Sequence, residues 1–393
     1  GGAGSGGGFG SGKGAGSGMG DGKGMGKLFG LIPESMRKRC SKEDRLERLK
    51  ANGGTPACDE AVSKALRYFK STQAADGSWG GSTKVAMTGL VLLAYFGHCE
   101  TPISPEFGES SMKAITFLVD TAMKNNGKLA TNFTSKQWPY EHAIATYALG
   151  EAATFCQELK INVPSLAEMT GKAGQYVIDN QHESGGWSYS YDLKGGHPDV
   201  SVVAWHIQAL KACSHTDIKF KGMDQSISKG LDYINNLQDE KTGGIGYDSR
   251  GKPVGSAEGY CSLTGAGVLA NQMWGKGNRN EVTKGLDYIL KETKFEYNTK
   301  FADLYGHYYE SQAMMQAGGK YWDAYNNLFR DQLLNNQEAD GSWKAPGGGQ
   351  KIRGSEATTG NKVYRTALAT LMLEVYYRFL NTDQGIQRKS RKI

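Results

Sequence analysis

Four segments of this chain repeat one pattern. They are "QAADGSWGG" from Gln73, "QHESGGWSY" from Gln181, "QDEKTGGIGY" from Gln238 and "QEADGSWKA" from Gln337. Each has a glutamine, then a turn rich in Asp and Gly, then a large apolar residue: Trp79, Trp187, Ile245 or Trp343. A pattern recurring at a long period marks one supersecondary unit copied along the chain. Such a unit cannot bury its apolar face alone and must stack on its neighbours.

The flanking sequence defines the unit. Before each glutamine runs an amphipathic stretch such as "AVSKALRYFKSTQ" or "SISKGLDYINNLQ". Its apolar residues return at three and four, as in Ile227, Leu231 and Ile234, which predicts a helix with one buried face. After each turn comes a stretch that is apolar or small on nearly every side, such as "VAMTGLVLLAYFG" (85–97) or "DVSVVAWHIQALKAC" (199–213). A helix of that kind is buried all round. The unit is therefore an outer amphipathic helix, a turn and an inner buried helix.

Trp187 and Ile245 lie one period apart, about 50–58 residues, whereas the other two intervals span two periods each. The missing copies are "SMKAITFLVDTAMKNN" with "YEHAIATYALGEAATF", and "VTKGLDYILKE" with "ADLYGHYYESQAMMQAG". Six hairpins result. An open array would leave two apolar ends to be capped, so closure into a ring is expected, an all-α, (α/α)6 toroid over residues 55–380, with a curved helical solenoid as the alternative.

Within that architecture the repeated motif reads as a clasp. The Asp-Gly turn stops the outer helix, and the tryptophan folds back over its end. The amides of Gln73, Gln181, Gln238 and Gln337 are expected to bond backbone groups at a neighbouring helix terminus. Ile245 lacks the aromatic, so its clasp is expected to be the weakest. Ahead of the ring, "SKEDRLERLKANGG" reads as a short helix within a 32–54 extension, with Ser41 as N-cap and Asp44 at the capping-box position. Thr55 and Pro56 then open the first outer helix.

Residues 1–31 form a Gly-rich linker, with 16 glycines in the first 30 positions. Such a segment cannot bury enough apolar surface to offset its ordering entropy. The formal charge of +6 is a property of the ends. Residues 1–50 carry ten Lys and Arg against five Asp and Glu, and the 381–393 tail carries four against one, leaving the body slightly acidic. The basic flanks are expected to be solvated tails or to touch a membrane surface; nothing suggests a nucleic-acid partner. No apolar run approaches the roughly 18 residues of a membrane span. A chain opening inside a linker is expected to be a fragment of a longer protein, membrane-tethered or periplasmic. None of the six cysteines forms a C-x-x-C pair. Cys40 and Cys58 flank a helical segment and are expected either to pair by fold-back or to remain thiols. Cys99, Cys156 and Cys213 read as small core hydrophobes.

Gln-x5-Trp with Gly before the aromatic, on helical hairpins of about 50 residues, resembles the squalene–hopene cyclase and protein prenyltransferase β-subunit superfamily. The resemblance covers residues 55–380, with the motif in four of six units. It implies an α/α toroid. Cyclases of the squalene–hopene type carry Asp-x-Asp-Asp at the start of an inner helix, where an Asp protonates the polyene. Here "PDVSVVAW" matches the first Asp with Asp199, but Ser201 and Val202 replace the others, and neither side chain can protonate an alkene. Prenyltransferases hold zinc with Asp, Cys and His. Cys261, Asp303 and His307 are the nearest match, without the family's Asp-x-Cys spacing, so zinc is the one cofactor the resemblance allows and the residues otherwise call for none.

The inner-helix N-termini are expected to line the toroid's mouth. They carry Lys84, Glu141, His142, Asp199, Glu258, Asp303, His307, Lys362 and Arg365, with Tyr260, Tyr308, Tyr364 and other aromatics nearby. Three functions fit. One is an isoprenoid enzyme with Asp199, Glu258, Asp303 or His307 as acid–base groups and aromatics facing a carbocation. Another is a carbohydrate-active toroid with Glu141 and Asp199 as paired carboxylates. The third, which the sequence favours, is a non-catalytic toroid binding a hydrophobic ligand, a glycan or a protein partner in its mouth.

Overall fold

The computed structural model describes residues 36, 39–248, 262–352 and 357–378. The expected linker and basic tail lie outside them. The helices in order are α1 (Lys42–Ala51), α2 (Pro56–Thr72), α3 (Lys84–Gly97), α4 (Gly108–Lys124), α5 (Trp138–Glu158), α6 (Leu166–Asp179), α7 (Val200–Ser214) and α8 (Met223–Asn236). They continue with α9 (Ser262–Met273), α10 (Asn280–Glu292), α11 (Leu304–Ala317), α12 (Gly319–Leu334), α13 (Ala357–Gly360), α14 (Lys362–Leu373) and α15 (Val375–Arg378). No strand occurs among the described residues, only isolated bridges such as Gln337 with Trp343. None of the described helices is long and apolar enough to cross a membrane.

The two helix types of the sequence become two layers. Helices α3, α5, α7, α9, α11 and α14 each pack on the next, and α14 packs back on α3, so the inner layer is a closed ring. Every residue of α3 from Val85 to Gly97 is buried. The outer helices α2, α4, α6, α8, α10 and α12 present one apolar face inward, and α12 touches α2. The architecture is the expected all-α toroid.

The clasps join consecutive units. Gln73 Nε2 donates to the carbonyl of Gly77 in its own turn (2.9 Å) and to that of Ser110 in the next outer helix (3.0 Å). Gln181 does the same to Gly185 and Ser226, and Gln238 to Gly243 and Glu281. Three residues along each receiving helix, the turn glycine lies against the backbone. Gly77, Gly185, Gly243 and Gly341 all have φ between 83° and 95°. A Cβ on any of them would come within 2.2–2.5 Å of a lysine carbonyl oxygen. Only glycine meets both demands. The indole N–H groups of Trp79, Trp187 and Trp343 donate to the carbonyls of Phe69, Val177 and Leu333, which end the preceding outer helices (2.8–2.9 Å).

Helix α1 begins at the expected cap, with Ser41 Oγ accepting the Asp44 N–H (3.2 Å). Pro56 opens α2 as expected, but the Thr55 side chain makes no capping bond. The cysteine pairing departs from expectation. Cys40 is disulfide-bonded to Cys99 at the end of α3, not to Cys58. Cys58, Cys156 and Cys213 are buried thiols. Fold-back of the N-terminal segment carries Cys40 across the base of the ring, past the start of α2 where Cys58 sits.

Candidate functional site

The inner-helix N-termini surround a cavity of about 820 Å³ to which all six units contribute wall. Met87 comes from α3, Tyr140, Glu141 and Ile144 from α5, Ser201 and Trp205 from α7, Leu263 from α9, Tyr305 from α11 and Tyr364 from α14; Tyr189 and Tyr247 come from the turns that follow two clasps. Aromatic surface and neutral polar groups dominate.

Hydroxyls form a chain along one wall. Tyr140 Oη lies 2.6 Å from Ser201 Oγ and 3.2 Å from Tyr189 Oη, which is 2.9 Å from Tyr247 Oη. Ser201 Oγ donates to Asp199 Oδ1 behind the wall. Asp199 itself is fully buried as the N-cap of α7, and the same oxygen accepts the N–H groups of Ser201 (2.8 Å) and Val202 (3.2 Å). Burial pushes the Tyr140, Tyr189 and Tyr247 phenols up, and the Asp199 carboxylate adds to the effect, so they stay protonated donors.

Aromatic stacking closes the floor. The Trp205 ring on α7 lies 5.3 Å from that of Tyr308 on α11 at an interplanar angle of 21°. Tyr308 Oη donates to Gln208 Oε1 on α7 (2.8 Å). Tyr308 packs edge-on against Tyr309, and Tyr309 against Tyr305. Because α9 stands between α7 and α11 in the ring, these contacts span the lumen and stop the cavity partway down. Beneath them Glu151 is held by Arg39 (3.1 Å) and Arg378 (3.5 Å).

The expected mouth residues divide. Glu141 and Tyr364 line the cavity and Tyr308 helps form its floor. The Glu141 carboxylate is occupied: it accepts from the Thr131 hydroxyl (2.7 Å) and from the N–H groups of Thr131 and Ala86 (3.2 Å each). Lys84 instead binds Asp76 on the surface (3.1 Å), and Lys362 binds Asp340 (2.9 Å). Arg365 donates to the carbonyls of Trp343 and Thr359. His142 is turned to the outer layer, accepting the Leu129 N–H (3.1 Å) and bonding the Ala173 carbonyl (3.0 Å). It does the work of Thr88, Thr264 and Thr366, whose hydroxyls accept the N–H of Trp79, Ile245 and Trp343. Burial pushes its imidazole down to about 4.

His307 also faces outward, with Nδ1 at 2.8 Å from Tyr325 Oη on α12 and Nε2 at 3.0 Å from the Lys294 carbonyl. Both nitrogens are used, which removes it from the expected zinc trio. Asp303 caps α11 as a buried carboxyl with no hydrogen-bond partner for either oxygen among the described residues. Burial pushes it up to about 6. Glu258, Tyr260 and Cys261 lie outside the described residues. Among the described residues no group of three or more His, Cys, Asp or Glu side chains is placed to hold a metal ion.

Sequence reasoning missed Tyr247. The signal was available: Tyr189 and Tyr247 both stand two places after the clasp residue, Trp187 in one unit and Ile245 in the next.

No family model and no curated protein sequence matches the chain. Solved structures do. A single-residue variant of the type II terpene cyclase MstE from Scytonema, in complex with its product merosterolic acid A, superimposes with a TM-score of 0.52 at 13% identity, covering 86% of this chain and 100% of that one. The GH76A alpha-1,6-mannanase from Salegentibacter sp. HEL1_6 gives a TM-score of 0.56 at 10% identity, over 81% of this chain and 98% of that one. At such identities the likeness is one of fold, and the fold this chain shares with both is the α/α toroid.

Proposed function

We propose that this chain is a ligand-binding toroid whose mouth cavity holds an uncharged, hydroxyl-bearing molecule of glycan type and does no covalent chemistry on it. The observation that carries this reading is the chain of neutral hydroxyls from Ser201 through Tyr140 and Tyr189 to Tyr247, built at the helix start where a squalene–hopene-type cyclase would carry its acid. Tyrosine and tryptophan faces offer flat apolar surface, and the phenols offer donors and acceptors for a ligand's hydroxyls. A volume of about 820 Å³ suits a ligand of a few rings. The wall carboxylate, Glu141, is saturated by Thr131 and Ala86 and has no second carboxylate beside it among the described lining residues.

The test is a titration of intrinsic tryptophan fluorescence with neutral oligosaccharides, including α-1,6-mannooligosaccharides, for the parent and for Tyr140→Phe and Trp205→Leu. Saturable binding weakened about tenfold or more by either change is expected. Turnover of the same sugars, or of squalene and polyprenyl diphosphates, would overturn the reading. A second reading is acid catalysis on an isoprenoid. The observation favouring it is Asp303, a buried carboxyl raised to about 6 and two residues from the wall residue Tyr305. Cyclisation of squalene lost in Asp303→Asn would establish it.

A further inference from the structure

On the far side of the aromatic floor lies a second hollow, of about 280 Å³, between the C-terminal halves of the inner helices. Its charge is unlike that of the mouth. Arg39 comes from the segment preceding α1, Lys211 from α7 and Arg378 from the end of α15; against these three cations the described lining sets one carboxylate, Glu151. Arg39 and Arg378 are both buried and share that carboxylate. Burial disfavours ionised Glu151, but the two guanidiniums more than offset this and hold it below the usual carboxylate range. Glu374 is buried nearby, but neither of its oxygens hydrogen-bonds a guanidinium among the described residues, and burial pushes its carboxyl well up.

Buried charge without a counter-charge is costly. Helix C-termini favour cations, but that effect fades within the last turn. Arg378 instead reaches Tyr147, in the middle of α5 (3.0 Å). Two buried polar atoms of the lining, the Arg39 Nε donor and the Gln272 Oε1 acceptor, also have no hydrogen-bond partner among the described residues. Lys211, on the half-buried rim, forms no ion pair among the described residues; its ammonium rests 4.9 Å from the centroid of the Trp274 ring, and burial pushes its pKa down. Exposed His215 completes the rim.

We propose that this basal hollow binds a small phosphate-type oxyanion, either the free ion or the head of a phosphomonoester. Its oxygens would face the Nε–H of Arg39, whose terminal nitrogens already hold Glu151, and the ammonium of Lys211, in charge-assisted hydrogen bonds. A protonated phosphate oxygen, or an ester's neighbouring hydroxyl, would donate to Gln272 Oε1. The site is separate from the mouth cavity and does not rest on the reading given for it.

The experiment measures Tm against inorganic phosphate, with sodium chloride at matched ionic strength as the reference, and confirms affinity by calorimetric titration. Glycerol 3-phosphate in a parallel arm separates the two sources: tenfold tighter binding than inorganic phosphate identifies an ester, equal binding the free ion. Saturable stabilisation is expected, with Kd weakened at least tenfold in Lys211→Met, a rim change that leaves the core alone, and in Gln272→Met. Tyr140→Phe in the mouth should leave it unchanged. Phosphate acting no differently from chloride, or both Lys211→Met and Gln272→Met binding as the parent does, would overturn the proposal.

Discussion

Gln337, in the turn just past the end of α12, donates its side-chain amide to the carbonyl of Ala61 on α2 at 2.8 Å, joining residues 276 positions apart. The same bond occurs three times between consecutive units, so the fourth clasp is an ordinary joint whose neighbour happens to be the first unit. Ring closure therefore needs no special device. Gly341, at φ 90°, sits where a Cβ would be 2.2 Å from the Lys64 carbonyl oxygen. Gly341→Ala should cost about 2–4 kcal/mol from positive-φ strain plus a backbone clash. Gly81→Ala, with nothing within 4 Å of the added Cβ, should stay within about 0.5 kcal/mol of the parent. Urea unfolding of the two variants checks this; equal stabilities would refute the clasp as the closing joint.

The indole bond can be tested apart from indole volume. Trp343 is fully buried and its N–H reaches the Leu333 carbonyl at 2.9 Å. Trp343→Phe keeps most of the ring but leaves that carbonyl without this donor, at a cost of about 1–3 kcal/mol. Trp343→Ala should cost about 3–5 kcal/mol through the cavity it opens. If Phe proved as damaging as Ala, the indole N–H would outweigh the ring's volume and the packing argument would fail.

The hairpins, the ring and the clasps were legible because each repeats a strong pattern: 3.6-residue periodicity, a breaker and a fixed aromatic. The lining of the mouth was only half legible, because one residue along a helix turns a side chain by about 100°. Glu141 looks into the cavity while His142, next to it, looks out. Lys84 and Lys362 start inner helices, yet each bends back to an aspartate in its own unit's turn, Asp76 or Asp340. The aromatic floor was hidden for another reason. Trp205 and Tyr308 belong to helices that are not ring neighbours, and no local pattern announces a contact across a lumen.

The Cys40–Cys99 disulfide closes a loop over a sequence separation of 59 and pins the segment that delivers Arg39 to Glu151. Constraint of the unfolded chain over a loop of that length is worth about 4 kcal/mol. Reduction, or Cys40→Ser with Cys99→Ser, should therefore lower Tm measurably. Peptide mapping after alkylation without reduction, with denaturant present to expose the thiols, should label Cys58, Cys156 and Cys213 and leave Cys40 and Cys99 unlabelled. A linked peptide containing Cys58 would contradict the assignment.

Asp303 makes a prediction in pH. Burial lifts its carboxyl to about 6, against about 3.9 for an unfolded Asp. A raised folded-state pKa means the folded chain holds the proton more tightly. The stabilisation is therefore full below about pH 4 and is lost as pH rises through about 6. His307 acts in the same sense: burial opposes its charge, but Glu310 and Asp303 outweigh that and hold its pKa above the ordinary value. Asp59, Glu151 and Asp340 have depressed values and act oppositely, so the informative quantity is the difference between variant and parent. Asp303→Asn keeps the size and shape of the neutral carboxyl and cannot ionise. It should match the parent near pH 4 and exceed it by on the order of 2–3 kcal/mol at pH 7.5. Urea unfolding across that range reads the difference directly, and a difference that does not grow with pH would mean the carboxyl is not held as a buried acid.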